Sequence, residues 1–247
     1  MTEHRNPLVH RHPDLEALSR AAARALVSDI EATLETKDRY TLALAGGSTP
    51  RPLYERLGTD TTDALPWDRI HLFWGDERYV PHDHPESNVR LVRETLLANI
   101  PLSPAQVHPM PTQGDGPAAD ASAYADTLQR FFEDRAATFD TVLLGLGSDG
   151  HTASLFPETP RLGADDNSWV RAVTAPERHD ISPRLTCTLP VLNGARQVFF
   201  LVSGARKREA LRGVLDDQDS ALPATHVQPR GRCHWFVDRA ARPETDA

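Results

Sequence analysis

The residues best placed to do chemistry sit in one stretch, Leu143-Leu-Gly-Leu-Gly-Ser-Asp-Gly-His-Thr-Ala-Ser-Leu-Phe-Pro157. Here an apolar run breaks into glycines and presents an acid, a histidine and hydroxyls. The imidazole of His151 can take and return a proton near neutral pH, as general acid–base chemistry requires. Asp149 has two readings: it orients the imidazole or a bound hydroxyl, or it closes an Asx turn. Two familiar signatures almost fit. Gly145-Leu-Gly147-Ser-Asp-Gly150 has the letters of a dinucleotide fingerprint. The acid expected near the end of the next strand is missing, because Trp169 to Val173 runs into Thr174-Ala175, and Asp149 would face a pyrophosphate. Leu146-Gly-Ser148-Asp-Gly150 resembles a nucleophile elbow, but its first glycine is Leu146, and His151 is only three residues beyond Ser148. Neither a nicotinamide cofactor nor a serine triad is expected.

Phe139 to Leu146 is apolar enough for a strand covered on both faces, and the glycines after it permit a sharp turn. Around it, strand and helix periods alternate. Leu15, Leu18, Ala22, Leu26 and Ile30 predict an amphipathic helix over Pro13 to Leu34 after a short polar start. A strand Tyr40–Ala45 stops at Gly46-Gly47-Ser48-Thr49-Pro50, where a helix resumes to Leu57. That junction is either a well-capped connection or an anion site built of backbone N–H groups and a helix N-terminus. A second strand, Trp67 to Trp74, runs into Gly75-Asp76-Glu77-Arg78. These charges fall where open α/β sheets place their sites, although Glu77 and Arg78 could equally be a surface ion pair.

Farther on, helices are expected at Ser87–Ile100 and Ala118–Ala137, with an edge strand near Gln106–Met110 in a proline-rich stretch between them. A polar loop over Glu158–Ser168 precedes strands at Trp169–Val173, Arg184–Thr188 and Val198–Val202. Ser203-Gly204-Ala-Arg206-Lys207 opens a helix ending near Leu215, and Cys233–Val237 is a last strand. The alternation predicts an α/β fold with a mostly parallel, helix-covered sheet.

Composition narrows the function. The formal charge of −8 with no basic stripe argues against nucleic-acid or anionic-membrane partners, so an anionic substrate needs a local cluster of cations. With 247 residues and 39% hydrophobic content, the chain can bury a full core as a single domain, with loosely packed ends at about 1–8 and 240–247. The longest apolar runs are strand-sized, and the start lacks a secretory stretch, which places the expected protein in the cytoplasm. Cys187 and Cys233 read as reduced packing residues, and His82-Asp-His84 as a polar loop in place of a metal site.

Taken together, Leu44-Ala-Gly-Gly-Ser-Thr-Pro50, Gly75-Asp-Glu-Arg78, Ser87-Asn88, the Gly145–Pro157 segment, Pro183-Arg184-Leu-Thr, Ser203-Gly-Ala-Arg-Lys207 and Trp235-Phe-Val-Asp-Arg239 resemble the glucosamine-6-phosphate isomerase/6-phosphogluconolactonase family along nearly the whole chain. Arg78 stands where the deaminase branch has tyrosine, and Phe156 where that branch has a carboxylate, so the resemblance is to the lactonase branch. It departs at Ser148, where lactonases usually have proline. The resemblance implies a Rossmann-like three-layer α/β/α fold and hydrolysis of 6-phospho-D-glucono-1,5-lactone, with no nucleotide, cofactor or metal. It assigns phosphate binding to Gly46, Gly47, Ser48 and Thr49 with Arg78, Arg184 and Lys207. It makes His151 the base, with Asp149 and Asp76 as accompanying acids, and backbone N–H groups of the Gly147–His151 turn are candidate oxyanion donors. A monomer acting on this small molecule is expected, and the rival readings are a deaminase-like isomerase and a non-catalytic sugar-phosphate binder.

Overall fold

The computed structural model describes residues 7–60, 65–133, 139–159 and 168–242. The chain opens with β1 (Leu8–His12), and α1 (Leu15–Leu34) follows, its first turn capped by Asp14 Oδ1, which accepts from Ala17 N at 2.8 Å. The predicted stripe is buried on this helix: Leu18, Ala22, Leu26 and Ile30 are all 0–1% exposed. Each large apolar side chain so buried contributes roughly 1.5–3 kcal/mol. Next come β2 (Tyr40–Leu44), α2 (Arg51–Asp60), β3 (Ile70–Trp74), β4 (Asp76–Arg78) and α3 (Asn88–Thr95). β5 (Val107–His108), α4 (Pro117–Phe131) and β6 (Thr141–Gly145) lead to β7 (Val170–Val173) and β8 (Arg184–Cys187). α5 (Leu189–Gly194), β9 (Gln197–Val202), α6 (Arg208–Leu215) and β10 (Arg232–Asp238) complete the described chain.

Seven strands form one parallel sheet in the order β1-β10-β9-β6-β2-β3-β5. Its central members β2 and β9 are buried at every residue, as strands covered on both faces must be. Crossovers between parallel strands are right-handed. The steps β1 to β2, β2 to β3 and β3 to β5 all move one way across this order, so α1, α2 and α3 share a face, and α1 packs on α2 and α2 on α3. The steps β5 to β6, β6 to β9 and β9 to β10 move the other way, which puts α4, α5 and α6 on the opposite face. The winding reverses between β2 and β6, and open α/β sheets bind ligands at such a reversal, beyond the strand carboxyl ends.

Several expectations are corrected. The polar start of the chain contributes an edge strand, β1, from Leu8, paired with β10 at the far end of the described chain. At the other end Ala241 is buried and its N–H donates to Asp238 Oδ1, so the chain stays packed to that point. Asp76–Arg78 forms a strand in a separate antiparallel sheet, β4-β8-β7. α3 stops at Thr95 and gives way to a 3₁₀ turn over Leu97–Asn99, and Trp67–Arg69 is likewise a 3₁₀ turn that precedes β3. The last part of the helix expected to Ala137 and most of the Glu158–Ser168 loop lie outside the described residues, as do 1–6 and 243–247. Among the described residues no helix is long and apolar enough to cross a membrane.

Candidate active site

The reversal point holds a pocket of about 390 Å³. Gly46, Gly47, Ser48 and Thr49 line it after β2, Asp76 and Arg78 from β4, His151 after β6, Arg184 from β8, and Lys207 after β9. Asp149 is not part of its wall and stands behind His151.

Each wall is fixed by local contacts. Tyr54 on α2, fully buried, reaches back to the end of β2: its hydroxyl donates to Ala45 O at 2.7 Å and accepts from Ala45 N at 3.0 Å. Gly46 has to be glycine because a Cβ there would run into the Asn88 amide, which itself donates from Nδ2 to Asp76 O at 2.8 Å. After β6, Thr152 Oγ1 donates to Gly145 O at 2.8 Å and closes the base of the turn. A Cβ on Gly147 would strike His151 Nδ1 and Asp149 Oδ1, so only glycine lets the acid and the imidazole approach the backbone.

Asp149 Oδ1 lies 2.5 Å from His151 Nδ1 and also accepts the His151 N–H at 3.3 Å. Both readings of Asp149 therefore apply at once: an Asx turn and an oriented imidazole. Burial alone would raise the Asp149 carboxyl, but the hydrogen bond and charge of His151, then Arg178, outweigh it and hold the group well below the usual carboxylate range. An ionised Asp149 accepts from Nδ1–H, which leaves Nε2 as the ring nitrogen with no protein partner among the described residues. The ring of Phe156 lies against His151 with centroids 5.0 Å apart, and the Arg184 guanidinium sits 5.7 Å over that same ring.

The turn amides are largely committed elsewhere. Gly147 N–H donates to His151 O, Gly150 N–H to Gly147 O and His151 N–H to Asp149. Among the described residues only Ser148 and Asp149 keep theirs, and neither residue lines the pocket, which weighs against this turn as the oxyanion donor. Asp76 is buried and accepts from Ser154 Oγ at 2.7 Å, and Ser154 N in turn donates to Thr186 Oγ1 at 3.2 Å. Burial lowers both Arg184 and Lys207 from their ordinary values. Arg78 Nη1 donates to the Glu86 carbonyl.

The sequence profile of the family described as glucosamine-6-phosphate isomerases/6-phosphogluconolactonase matches residues 13–235. The chain belongs to this family. It is 45% identical to a 6-phosphogluconolactonase of Synechocystis sp. over 88% of this chain and 91% of that one. It is 39% identical to the 6-phosphogluconolactonase of Rattus norvegicus over 91% of this chain and 87% of that one. The solved 6-phosphogluconolactonase of Trypanosoma brucei superposes with a TM-score of 0.84 at 31% identity, covering 96% of this chain and 97% of that one. A monomeric glucosamine-6-phosphate deaminase, at 24% identity and a TM-score of 0.82, shares the fold.

Against this family's pattern, the structure adds residues that the motifs do not announce. Glu77 is no surface ion pair: it is fully buried, and its carboxylate accepts from the backbone N–H of Arg78, Asn88 and Val89 at 2.7–2.8 Å and from Ser87 Oγ at 3.0 Å. It thereby ties β4 to the start of α3. Burial pushes its carboxyl up to about 7, against the pull of those backbone donors. Arg178 and His179 contact Asp149 from the loop between β7 and β8. Asp149, His151 and His179 offer ligand atoms within 4.8 Å of one another, but the Arg178 guanidinium already bonded to Asp149 opposes a second cation there.

Proposed function

We propose that this chain is a 6-phosphogluconolactonase, hydrolysing 6-phospho-D-glucono-1,5-lactone to 6-phospho-D-gluconate in the oxidative pentose phosphate pathway. The observation that carries this reading is His151 on the pocket wall, its Nδ1 tied to ionised Asp149 and its Nε2 without a partner among the described residues, in a pocket that also holds Arg78, Arg184 and Lys207. Water attacks C1 of the lactone and gives its proton to Nε2. The imidazolium so formed is stabilised by Asp149, and the tetrahedral intermediate collapses by breaking the bond between C1 and the ring oxygen. That oxygen takes the proton from Nε2 and leaves as the C5 hydroxyl, while the new carboxylic acid ionises. The Gly46–Thr49 loop and the three cations hold the 6-phosphate, which fixes C1 relative to His151. The free oxygen of Asp76 accepts from a sugar hydroxyl.

The isomerase reading is weaker at one residue. Where a deaminase would place a carboxylate, Phe156 lays an apolar ring against His151. Fresh 6-phosphogluconolactone and glucosamine 6-phosphate, each offered to the enzyme beside a no-enzyme blank, separate the two. Acid release above the blank from the lactone, with no ammonia from the amine, is the expected result. Ammonia release without lactone opening would reverse the assignment.

A further inference from the structure

The geometry points to Arg178 as the positioning residue of the Asp149–His151 pair. This rests on the lactonase reading, in which His151 is the base. Asp149 stands on a turn between Gly147 and Gly150, and its contacts to His151 both use Oδ1. A carboxylate held through one oxygen can still rotate about its last bond, and that rotation would carry Oδ1 away from Nδ1. Arg178 removes this freedom. Its Nε and Nη2 both donate to Asp149 Oδ2, at 3.0 and 2.5 Å, so the guanidinium fork converges on that one oxygen and pins it with two charge-assisted hydrogen bonds. With Oδ2 held, Oδ1 has one place to be, and the Nδ1–H tautomer of His151 is the one it selects.

The same guanidinium reaches Glu158, donating from Nη1 to Oε1 at 2.7 Å and from Nη2 to Oε2 at 3.0 Å. Glu158 follows Pro157, at the far end of the segment that begins with the β6 turn. Arg178 therefore ties both ends of the catalytic segment to a loop that is distant in sequence.

Glu158 also settles the charge. Arg178 alone would neutralise Asp149 and weaken its support for the imidazolium. With Glu158 on its other side, the group of two carboxylates and one guanidinium keeps one negative charge facing His151. His179, whose ring stands edge-on to His151 at 5.0 Å, lies 3.4 Å from Asp149 Oδ2 and is held below the ordinary histidine value by burial, so it adds packing without charge at neutral pH.

Arg178→Gln is expected to lower kcat about 10- to 100-fold with little change in KM, because the pocket's anion-binding groups are untouched. Arg178→Lys, which keeps the charge and one donor, should recover part of that loss. Glu158→Gln leaves the fork on Asp149 in place and should cost only about two- to fivefold. Nitrogen chemical shifts of the His151 ring report the cause directly: Nδ1–H in the wild type, a tautomer mixture in Arg178→Gln. Thermal melts of each variant show whether it is folded. The inference falls if Arg178→Gln keeps the wild-type kcat and tautomer, or if Glu158→Gln loses as much as Arg178→Gln, which would make loop closure the whole effect. His151→Ala is the control: if it too turns over at the wild-type rate, the lactonase mechanism fails and not merely the positioning.

Discussion

At the amino-terminal edge of the parallel sheet, Asp140 accepts from Lys37 Nζ at 2.6 Å and from both N and Oγ1 of Thr41 at 2.9 Å. Beside it, Asp29 Oδ2 takes Tyr40 OH and Arg196 Nη2, each at 2.5 Å. Every charge there is met by an opposite charge or a hydrogen bond within the protein. At the carboxyl edge, among the described residues, the Arg184 guanidinium donates a hydrogen bond only to the Ile181 carbonyl, and the Lys207 ammonium has no hydrogen-bonded or ion-paired partner. Both are nonetheless buried enough for their charged forms to be disfavoured. Two polar clusters of similar composition thus differ in closure. The closed one locks strands together, and the open one leaves cations facing a cavity that an anion can fill.

The largest expected effect tests the open edge. His151→Ala should lower kcat by about 10²- to 10⁴-fold, with 6-phosphogluconate binding and melting temperature largely kept. Because this lactone also opens in water, the rate has to be read above a blank at each pH. A folded variant that binds product and turns over normally would remove His151 from the chemistry.

Asp140→Ala asks the converse question of the closed edge. It leaves the Thr41 N–H and hydroxyl without their acceptor, while Arg196 keeps Asp29 and the half-exposed Lys37 keeps water, so a stability loss of about 1–3 kcal/mol is expected in chemical denaturation. The turnover of the fraction that remains folded should not change. A fall in kcat at full folding would mean that the two edges are coupled and do not divide structure from chemistry.

How far the sequence revealed these two edges follows from the range of the contacts. The glycine turns, the His151 segment and the buried strands could be read from local pattern, because hydrophobic period and turn chemistry act over a few residues. The cap formed by Glu77 was hidden, since its donors at Asn88 and Val89 begin eleven residues later and only folding brings them to β4. Likewise β1, with the mixed sequence Leu-Val-His-Arg-His, carries little strand signal and gains its place by pairing with β10. Arg178 sits in a polar loop whose composition names no partner.

Of similar size is the effect expected at the phosphate clamp. Lys207→Met should weaken use of the phosphorylated lactone by about 10- to 150-fold in kcat/KM, the equivalent of one charge-assisted hydrogen bond of roughly 1.5–3 kcal/mol. Glucono-1,5-lactone, which lacks the dianion, should be opened at nearly the wild-type rate. Equal loss on both substrates would move Lys207 from the phosphate to the reacting carbon.

The smallest expected effect separates two uses of histidine. His71 Nδ1 and His108 Nε2 lie 3.1 Å apart between β3 and β5, and His10 Nε2 and His234 Nδ1 lie 3.0 Å apart between β1 and β10. Burial pushes His108 and His234 down to about 4 each. With a folded value below the ordinary 6.5, the unfolded chain takes up the proton first as pH falls. Stability from these pairs is therefore complete above about pH 6.5 and drains away between there and about pH 4, by something on the order of 1–2 kcal/mol per pair after allowance for partial exposure. Denaturation midpoints at pH 7.5 and 4.5 should show this slope, and His108→Gln, which cannot take the proton, should flatten part of it. The rate–pH profile of that variant should match the wild type, because His108 lies outside the pocket that holds His151. A shifted rate profile in His108→Gln, or an unchanged stability slope, would show that the edge histidines and the pocket histidine do not divide the work in this way.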